Sequence, residues 1–314
     1  MSERVAVVGS GLVGSAWALV FARAGWQVTL HDQDDAQIVS AEQRIAINAA
    51  ELAHHGLLDD PPTVLARIDG CPSLGDAVAD VSYVQESVFE DAEVKRKFYR
   101  RLDTAVGPET IIGSSSSGIP ASVFTTGLGC ASRCLIAHPI NPPYVIPLVE
   151  ICPAPGTDPL VVNRVVSLMS EAGMTPVRLT REVDGFIANR LQAALLWEAF
   201  RLLEGGYASA ADIDRTISEG LGRRWAFIGP FETIDLNAPR GLADYAARLA
   251  PGFFEFVKQA EPAKPWSEEV IAKAHDERRS HVAEADLPAR QAWRDAHLMA
   301  LAAHLDRARK KIGS

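Results

Sequence analysis

The feature of this sequence that most constrains its fold is a glycine-rich segment near the N-terminus, placed between two apolar runs. Residues 5–8 (VAVV) are apolar without alternation, which is typical of a parallel strand buried on both faces. Residues 9–14 (GSGLVG) follow at once, and the apolar residues 12–24 predict a helix that ends at Gly25. The segment therefore predicts a strand, a tight turn and a buried helix in succession.

Three glycines, Gly9, Gly11 and Gly14, form the pattern G-x-G-x-x-G in a context that makes it specific. A second strand is predicted at residues 28–31, and Asp32 stands at its end, 18 residues beyond Gly14. Such glycines permit a tight turn and a close approach to a pyrophosphate, which faces the unpaired N–H groups of the helix N-terminus. The segment predicts a dinucleotide site formed by Gly9, Gly11, Leu12, Val13 and Gly14.

Asp32 indicates which nicotinamide cofactor is bound. Its carboxylate can accept hydrogen bonds from the two ribose hydroxyls of the adenosine half, and it would repel a 2′-phosphate. The first arginine after it is Arg44. The sequence therefore favours NAD over NADP, although Asp32 could instead cap the next helix.

Charge and composition argue against several classes of partner. The 314 residues are 47% hydrophobic and carry a net charge of −9, which argues against nucleic acid and against an anionic membrane surface. Residues 5–22 contain no charge and are long enough to suggest a signal peptide or a membrane span. The interpretation as strand, turn and helix fits them better, because glycine and serine interrupt the run.

Four cysteines bear on the compartment and on metal binding. They include no C-x-x-C pair and stand at Cys71, Cys130, Cys134 and Cys152. This usage is typical of reduced thiols in the cytoplasm, and we predict no metal site.

Strands and helices alternate through the middle of the chain. Strand-like runs recur at residues 81–85, 110–112, 134–137 and 148–151, with helical segments at 91–106 and 159–172. This pattern predicts an α/β fold with a Rossmann-type doubly wound sheet, in which ligands bind beyond the carboxyl ends of the strands.

From Gly185 onward the pattern becomes helical. Residues 186–203 are apolar nearly all round, which predicts a buried helix. We therefore predict two domains: residues 1–184 as a Rossmann NAD-binding domain, and residues 185–314 as an all-α domain for substrate binding and dimerisation.

One histidine stands at a predicted strand end. His138 opens the proline-stiffened segment 138–143, and Glu150 lies 12 residues further on, within the next strand. In alcohol oxidation an imidazole can take the hydroxyl proton as hydride leaves, while a carboxylate fixes its tautomer and stabilises the imidazolium. We predict His138 as the proton acceptor. The serines at 114–117 also follow a strand, although such a run is often a solvated turn.

The ordered motifs of this sequence resemble the 3-hydroxyacyl-CoA dehydrogenase superfamily. The residues that carry the resemblance are Gly9, Gly11, Gly14, Asp32, Glu86, Glu90, Lys95, Ser117, His138, Asn141, Pro142, Glu150 and residues 185–190 (GFIANR). Residues 137–144, 218–222, 227–230 and 291–295 are most similar to the branch of lambda-crystallin, an L-gulonate 3-dehydrogenase. On that count the resemblance runs nearly end to end.

The resemblance implies roles for individual residues. His138 is expected to be the catalytic base and Glu150 its partner, while Ser117 and Asn189 contact the substrate oxygen or the histidine. Glu90 and Lys95 are expected near the nicotinamide ribose, with Ser117 also at the cofactor and Asn141 at the substrate. In this superfamily the helical domain forms the dimer interface, which implies a homodimer.

The substrate class is indicated by local charge. Residues 35–60 contain one arginine, no lysine and five acidic residues, which disfavours binding of the phosphates of CoA. Arg224, beside Arg223, could instead clamp a substrate carboxylate through two parallel hydrogen bonds. Both arginines could also be solvated surface charges.

Three hypotheses follow for the function. The first is NAD-dependent oxidation at C3 of a small hydroxy acid, with L-gulonate as the first candidate. The second is a short-chain 3-hydroxyacyl-CoA dehydrogenase, or a dehydrogenase of carnitine-type 3-hydroxy acids. The third is a non-catalytic structural or NAD-sensing protein, against which the retained Ser117, His138, Glu150 and Asn189 argue.

Overall fold

The computed structural model describes residues 3–258 and 267–313. The chain divides into two compact units. The first combines Met1–Arg190 with Trp293–Ser314, and the second comprises Leu191–Ala292.

The first unit is built on an eight-stranded sheet in the order β3-β2-β1-β4-β5-β6-β7-β8. Its strands are β1 Arg4–Val8, β2 Gln27–His31, β3 Ile68–Gly70, β4 Tyr83–Glu86, β5 Ile111–Ser114, β6 Cys134–Pro139, β7 Leu148–Pro153 and β8 Thr175–Arg178. Neighbouring strands are parallel except β6 and β7, which are antiparallel. Strands β3 to β6 have the order of a dinucleotide-binding Rossmann sheet, so the predicted fold class is confirmed.

Helices cover both faces of this sheet and form the second unit. They are α1 Leu12–Arg23, α2 Asp35–His54, α3 Pro61–Leu65, α4 Leu74–Val78, α5 Ala92–Ala105, α6 Ser122–Thr125, α7 Pro159–Glu171, α8 Ala188–Glu204, α9 Ala210–Arg215, α10 Gly222–Trp225, α11 Pro230–Asp235, α12 Gly241–Lys258, α13 Glu268–His281 and α14 Leu287–Ile312. A π-helical turn, Thr216–Leu221, lies between α9 and α10.

Side-chain oxygens cap the helices that surround the sheet. Asp34 accepts a hydrogen bond from the amide of Ala36 at the start of α2, and Asp91 caps α5 in the same way. Asp158 caps α7, whose first residue is a proline. Each carboxylate satisfies an amide that the helix leaves unpaired and faces the positive end of the helix dipole.

The apolar core lies in two layers, one on each face of the sheet. One layer contains residues of α1, α2 and α7, including the stacked rings of Trp17 and Phe21, with centroids 5.2 Å apart. The other contains residues of α5 and α6, including Tyr99 and Phe124. The uncharged residues 5–22 form β1, whose side chains enter both layers, and most of α1, which packs in the first layer; this confirms their interpretation as strand, turn and helix. Across the described part of the chain, no helix has the length and apolar character needed to cross a membrane.

The C-terminal part differs from the predicted division at two points. Residues 293–314 belong to the first unit, because Met299 is part of its core and Leu298 and Ala302 pack against the same cluster. Helix α8 was expected to be buried, yet Leu203 is its one buried residue and 62% of Leu191 is exposed. Its apolar residues are therefore not covered within the single chain.

Candidate active site

The glycine-rich turn between β1 and α1 has the close packing that its sequence predicts. A Cβ atom on Gly14 would lie 1.8 Å from the Gly9 carbonyl oxygen, and one on Gly9 would lie 2.5 Å from the Ser87 carbonyl oxygen. No side chain caps α1 at its N-cap residue Gly11, and Leu12 is exposed. The first amides of α1 are therefore open to an anionic group such as a pyrophosphate.

A cavity of about 660 Å³ lies beside this turn, at the carboxyl ends of β1, β2 and β4. It is lined by Gly9, Gly11, Asp32, Ser87, Phe89 and Arg101, among others. This is the position where the strand order reverses between β1 and β4, and where Rossmann sheets bind dinucleotides. The turn, the cavity and the acidic residue together fit the adenosine half of NAD.

Asp32 is held against the glycine-rich turn. Its Oδ2 atom accepts hydrogen bonds from the amide of Ser10 at 2.8 Å and from the Ser10 hydroxyl at 3.0 Å. The alternative in which Asp32 caps the next helix is wrong, because Asp34 occupies that position. Arg44 also contacts the turn, donating to the Ser10 carbonyl at 3.2 Å and to the Ser15 hydroxyl at 3.1 Å. No local pattern in the sequence indicates this contact, because Arg44 lies on α2, 34 residues from Ser10 along the chain.

His138 and Glu150 face each other on the antiparallel strands β6 and β7, in directly opposite register. The His138 Nδ1 atom lies 2.8 Å from Glu150 Oε2, and both side chains are buried. An ionised carboxylate only accepts hydrogen bonds, so Nδ1 carries a proton and the neutral ring has its lone pair on Nε2. Within the described residues, Nε2 has no hydrogen-bond partner.

The other oxygen of Glu150 is anchored at the start of α8. Oε1 accepts hydrogen bonds from the amides of Ile187 at 2.8 Å and Ala188 at 2.9 Å. Phe186, with a φ of +50°, turns the chain so that these amides face the carboxylate, and its ring packs 5.5 Å from that of His138. Burial raises the pKa of Glu150, but the hydrogen bonds from His138, Ala188 and Ile187 outweigh it and hold the pKa below its usual range. Glu150 is therefore ionised at neutral pH.

Glu90 organises the serine-rich loop that follows β5. Its Oε1 accepts hydrogen bonds from the Ser116 hydroxyl at 2.7 Å and from the amides of Ser117 and Gly118 at 2.9 and 3.0 Å. Burial raises the pKa of Glu90, but these hydrogen bonds and the charge of Lys95 outweigh burial and hold the pKa below its usual range. The Asn189 amide nitrogen donates to the Ser117 carbonyl at 2.6 Å. The structure thus brings Glu90, Ser117 and Asn189 together, and their roles toward cofactor and substrate stay predictions.

Lys95 lies in an environment that the sequence did not indicate. It is 1% exposed, and its Nζ atom donates to the two oxygens of Glu86 at 2.7 and 3.0 Å. Glu86 also accepts hydrogen bonds from the hydroxyls of Ser114 and Tyr99. The pair is sealed in the interior at the end of β4, and a direct contact of Lys95 with the nicotinamide ribose stays a prediction.

Two further predicted site residues, Asn141 and Arg224, take no part in the hydrogen bonds described above. Asn141 is exposed in the loop after β6. Arg224 is exposed on α10 in the second unit, where its guanidinium has no hydrogen bond or ion pair with any described residue. In contrast, Arg223 is paired with Glu219. The described residues contain no group of three His, Cys, Asp or Glu side chains able to hold a metal ion.

The comparison with known families agrees with this site. Residues 4–183 match the model of the 3-hydroxyacyl-CoA dehydrogenase NAD binding domain, and residues 185–282 match that of its C-terminal domain. The fold and these matches define an NAD-dependent dehydrogenase that acts on a CH–OH group. The chain belongs to the 3-hydroxyacyl-CoA dehydrogenase family, as its motifs predicted.

Individual relatives extend the comparison. A lambda-crystallin homolog of Bos taurus is 43% identical over 303 residues, covering 95% of this chain and 94% of the relative. An L-carnitine dehydrogenase of Streptomyces griseus is 40% identical over 239 residues, covering 76% and 71%. A solved structure of 5-formyl-3-hydroxy-2-methylpyridine 4-carboxylic acid 5-dehydrogenase, an NAD+-dependent dismutase, has a TM-score of 0.83 at 28% identity, covering 98% of this chain and 99% of that chain. The (S)-3-hydroxybutyryl-CoA dehydrogenase PaaH1 of Ralstonia eutropha has a TM-score of 0.69 at 27% identity, covering 87% and 93%.

Proposed function

We propose that this dehydrogenase oxidises the 3-hydroxyl of a small free hydroxy acid, with His138 as the general base and L-gulonate as the first candidate substrate. The observation that carries the proposal is the open Nε2 atom of His138, whose Nδ1 is bound at 2.8 Å to an ionised carboxylate. Such a ring can accept a proton at one nitrogen while the other stays fixed.

The reaction removes a proton and a hydride from the same CH–OH group. NAD+, when bound, accepts the hydride. The substrate hydroxyl gives its proton to Nε2 of His138 as the carbon–oxygen double bond forms, and Glu150 stabilises the resulting imidazolium. The Ser117 hydroxyl and the Asn189 side chain hold the substrate oxygen, and Asn141 also contacts the substrate. General-base help of this kind accelerates a reaction by about 10²–10⁴.

The cofactor is held by the elements that surround the cavity. Gly9, Gly11, Leu12, Val13 and Gly14 receive the pyrophosphate at the open amides of α1. Asp32 accepts hydrogen bonds from the adenosine ribose. The second oxygen of Glu90 receives the amide of Ser117 at 3.0 Å, and on its other side it can accept a hydroxyl of the nicotinamide ribose. Ser117 and the buried charge of Lys95 support that end of the site.

Two observations favour a free acid over a CoA ester. The segment from Asp35 to Asp60 is acidic, and its negative charge disfavours binding of the three phosphate groups of CoA. Lambda-crystallin homologs align with nearly the whole chain, and the dismutase with a TM-score of 0.83 acts on a pyridine carboxylic acid by its name. Arg224 is the residue we expect to bind the carboxylate, because its guanidinium has no partner within the described chain.

Carnitine-type 3-hydroxy acids are the second candidate. The L-carnitine dehydrogenase of S. griseus shares 40% identity over 239 residues with this chain, which supports a charged, CoA-free substrate in the same site.

The experiment is a substrate panel. NADH formation is followed with NAD and L-gulonate, L-carnitine, 3-hydroxybutyrate or 3-hydroxybutyryl-CoA, for the wild type and for His138→Gln. The expected result is turnover of a free acid that His138→Gln abolishes. Turnover of the CoA ester alone would reverse the choice of substrate, and turnover independent of His138 would refute the mechanism. The matched control is His54→Gln, since His54 is exposed at the end of α2.

We also propose a homodimer. The second unit exposes large apolar side chains, namely Leu191, Tyr207, Phe227, Phe231, Leu236, Phe253 and Phe256. Monomeric proteins rarely expose so many, and a second copy is the simplest cover. Light scattering during gel filtration is expected to give about twice the chain mass of 33.9 kDa. A monomeric mass for an active enzyme would contradict the proposal.

A further inference from the structure

One face of strand β4 carries polar side chains that the proposed mechanism does not use. Side chains alternate along a strand, so Tyr83, Gln85 and Ser87 lie on the same side of the sheet. Tyr83 and Gln85 are fully buried, whereas Ser87 lines the cofactor cavity. A buried glutamine costs free energy unless its amide is hydrogen-bonded. The bonds of this amide therefore show what holds it in the core.

The hydrogen bonds of Gln85 fix the orientation of its amide. A backbone carbonyl only accepts, so Nε2 of Gln85 donates to the Ala137 carbonyl at 3.2 Å, and it also donates to the Ser115 hydroxyl at 2.7 Å. The amide oxygen then faces Tyr83, whose hydroxyl donates to it at 2.6 Å. A Cβ atom on Gly113 would lie 1.9 Å from that hydroxyl oxygen, so the next strand has room for it only because residue 113 is glycine.

This chain of hydrogen bonds leaves one hydroxyl proton for a ligand. Ser115 accepts from Gln85, and its Oγ atom lies 2.8 Å from that of Ser87. The two hydroxyls have two protons, and one of these makes the bond between them. When Ser115 is the donor of that bond, the proton of Ser87 is left to donate outside the pair. Ser87 is the member of the pair that lines the cavity, beside Gly9.

We propose that the Ser87 hydroxyl donates a hydrogen bond to an oxygen atom of bound NAD, and that Gln85 is a positioning residue that orients Ser87 through Ser115. Gln85 also holds the carbonyl of Ala137, the residue before His138, so the same amide contacts the strand that carries the base. The inference rests on the proposed NAD site at the glycine-rich turn and is independent of the choice of substrate.

The first test is NADH binding to Ser87→Ala, measured by fluorescence titration, together with KM for NAD and kcat. Loss of one hydrogen bond is expected to raise Kd about 3- to 10-fold, with kcat at saturating NAD changed less than about two-fold. The matched control is Ser82→Ala at the opposite end of β4, because Ser82 is exposed and bonds to Glu3, far from the cavity lining. An unchanged Kd in Ser87→Ala overturns the cofactor contact.

The second test separates positioning from a merely structural role. Gln85→Met keeps the length of the side chain but removes the amide. If Gln85 acts through Ser87, adding Ser87→Ala to Gln85→Met changes the Kd for NADH less than about two-fold, since interacting residues are not additive. Fully additive effects overturn the positioning role. Ser115→Ala, which removes only the link, is expected to show the same lack of additivity and serves if Gln85→Met fails to fold.

The same titration distinguishes this inference from the proposed function. His138→Gln is expected to bind NADH as the wild type does while losing turnover. Turnover retained in His138→Gln refutes the proposed base and leaves the Ser87 result standing. An unchanged Kd in Ser87→Ala with turnover lost in His138→Gln refutes only the inference.

Discussion

Two buried carboxylates at the same edge of the sheet show two uses of one chemistry. Glu86, at the end of β4, receives Lys95 on both oxygens together with two hydroxyls, and every strong donor around it is used inside the protein. Glu150, on β7, is equally buried and holds His138, but Nε2 of that ring has no hydrogen-bond partner in the described part of the chain. We call the pair of Lys95 and Glu86 closed, because its polar atoms are bonded inside the protein. We call the pair of His138 and Glu150 open, because Nε2 of the histidine can still accept a proton from a ligand.

The difference supports the proposal that the pair of His138 and Glu150 carries out the proton transfer. A closed ion pair fixes the end of a strand and has its acceptor oxygens occupied by donors of the protein, so we infer that Glu86 and Lys95 support the site without taking part in proton transfer. An open pair has one fixed nitrogen and one reactive nitrogen, as proton transfer needs. Burial and charge alone do not separate the two cases, because both carboxylates are almost inaccessible.

The largest expected effect concerns the open pair. His138→Gln removes the proton acceptor, so kcat with the true substrate is expected to fall about 10²–10⁴-fold, while the free energy of unfolding changes little. Steady-state kinetics and urea unfolding of the same preparation measure both. A large loss of stability with normal kcat would show that the two pairs had been assigned the wrong way round.

Substitutions in the closed pair, Lys95 and Glu86, are expected to change the free energy of unfolding. Lys95→Met leaves Glu86 buried without its cation and is expected to lower the free energy of unfolding by about 3–5 kcal/mol. The double variant Glu86→Leu with Lys95→Met should recover most of this loss, because no unpaired charge remains. Lys97→Met, an exposed lysine on the same helix, is the control and should cost at most about 0.5 kcal/mol.

The same contrast recurs between two neighbouring arginines of the second unit. Arg223 is paired with Glu219, whereas the guanidinium of Arg224 has no partner among the residues that the structure describes. Arg224→Ala is expected to raise KM for the hydroxy acid about ten-fold or more and to leave KM for NAD unchanged, since a hydrogen bond to a charged group is worth about 1.5–3 kcal/mol. Arg223→Ala is the matched control. Equal, small changes in both variants would refute carboxylate binding by Arg224.

The smallest expected effect is on the pH dependence of stability. The folded protein holds the pKa of Glu150 below its ordinary value of 4.5. The ionised carboxylate therefore stabilises the fold above about pH 4.5, and this contribution is lost as the pH falls through the folded pKa. Glu150→Gln should lose less stability than the wild type below that pH. Parallel pH profiles of unfolding would argue that Glu150 is not anchored as described.

Much of the fold could be predicted because most strands and helices have a characteristic local pattern of apolar residues and glycines. The apolar runs gave six of the eight strands, and the glycine pattern with Asp32 located the cofactor turn. Strands β3 and β8 escaped prediction, since β3 has three residues including Asp69 and Gly70, and β8 contains Pro176. Such edge strands are defined by pairing with a neighbour rather than by their own composition.

The site was predictable where one strand end carries one functional side chain. His138 and Glu150 were predicted in this way; the structure shows their opposite register, and their catalytic roles stay predictions. The sequence could not show that Lys95 is buried, because lysine is almost always exposed unless paired. Nor could it show that Gln85 joins three strands, since hydrogen bonds between distant segments have no local signal.

The antiparallel pairing of β6 with β7 has a consequence for how this enzyme can evolve. His138 and Glu150 are set opposite each other by the backbone ladder, and the chain between the two strands, residues 140–147, lies outside that pairing. Insertions, deletions or new side chains in that loop can accumulate without altering the distance from base to carboxylate. A family with this arrangement can change what it recognises while inheriting its reaction intact.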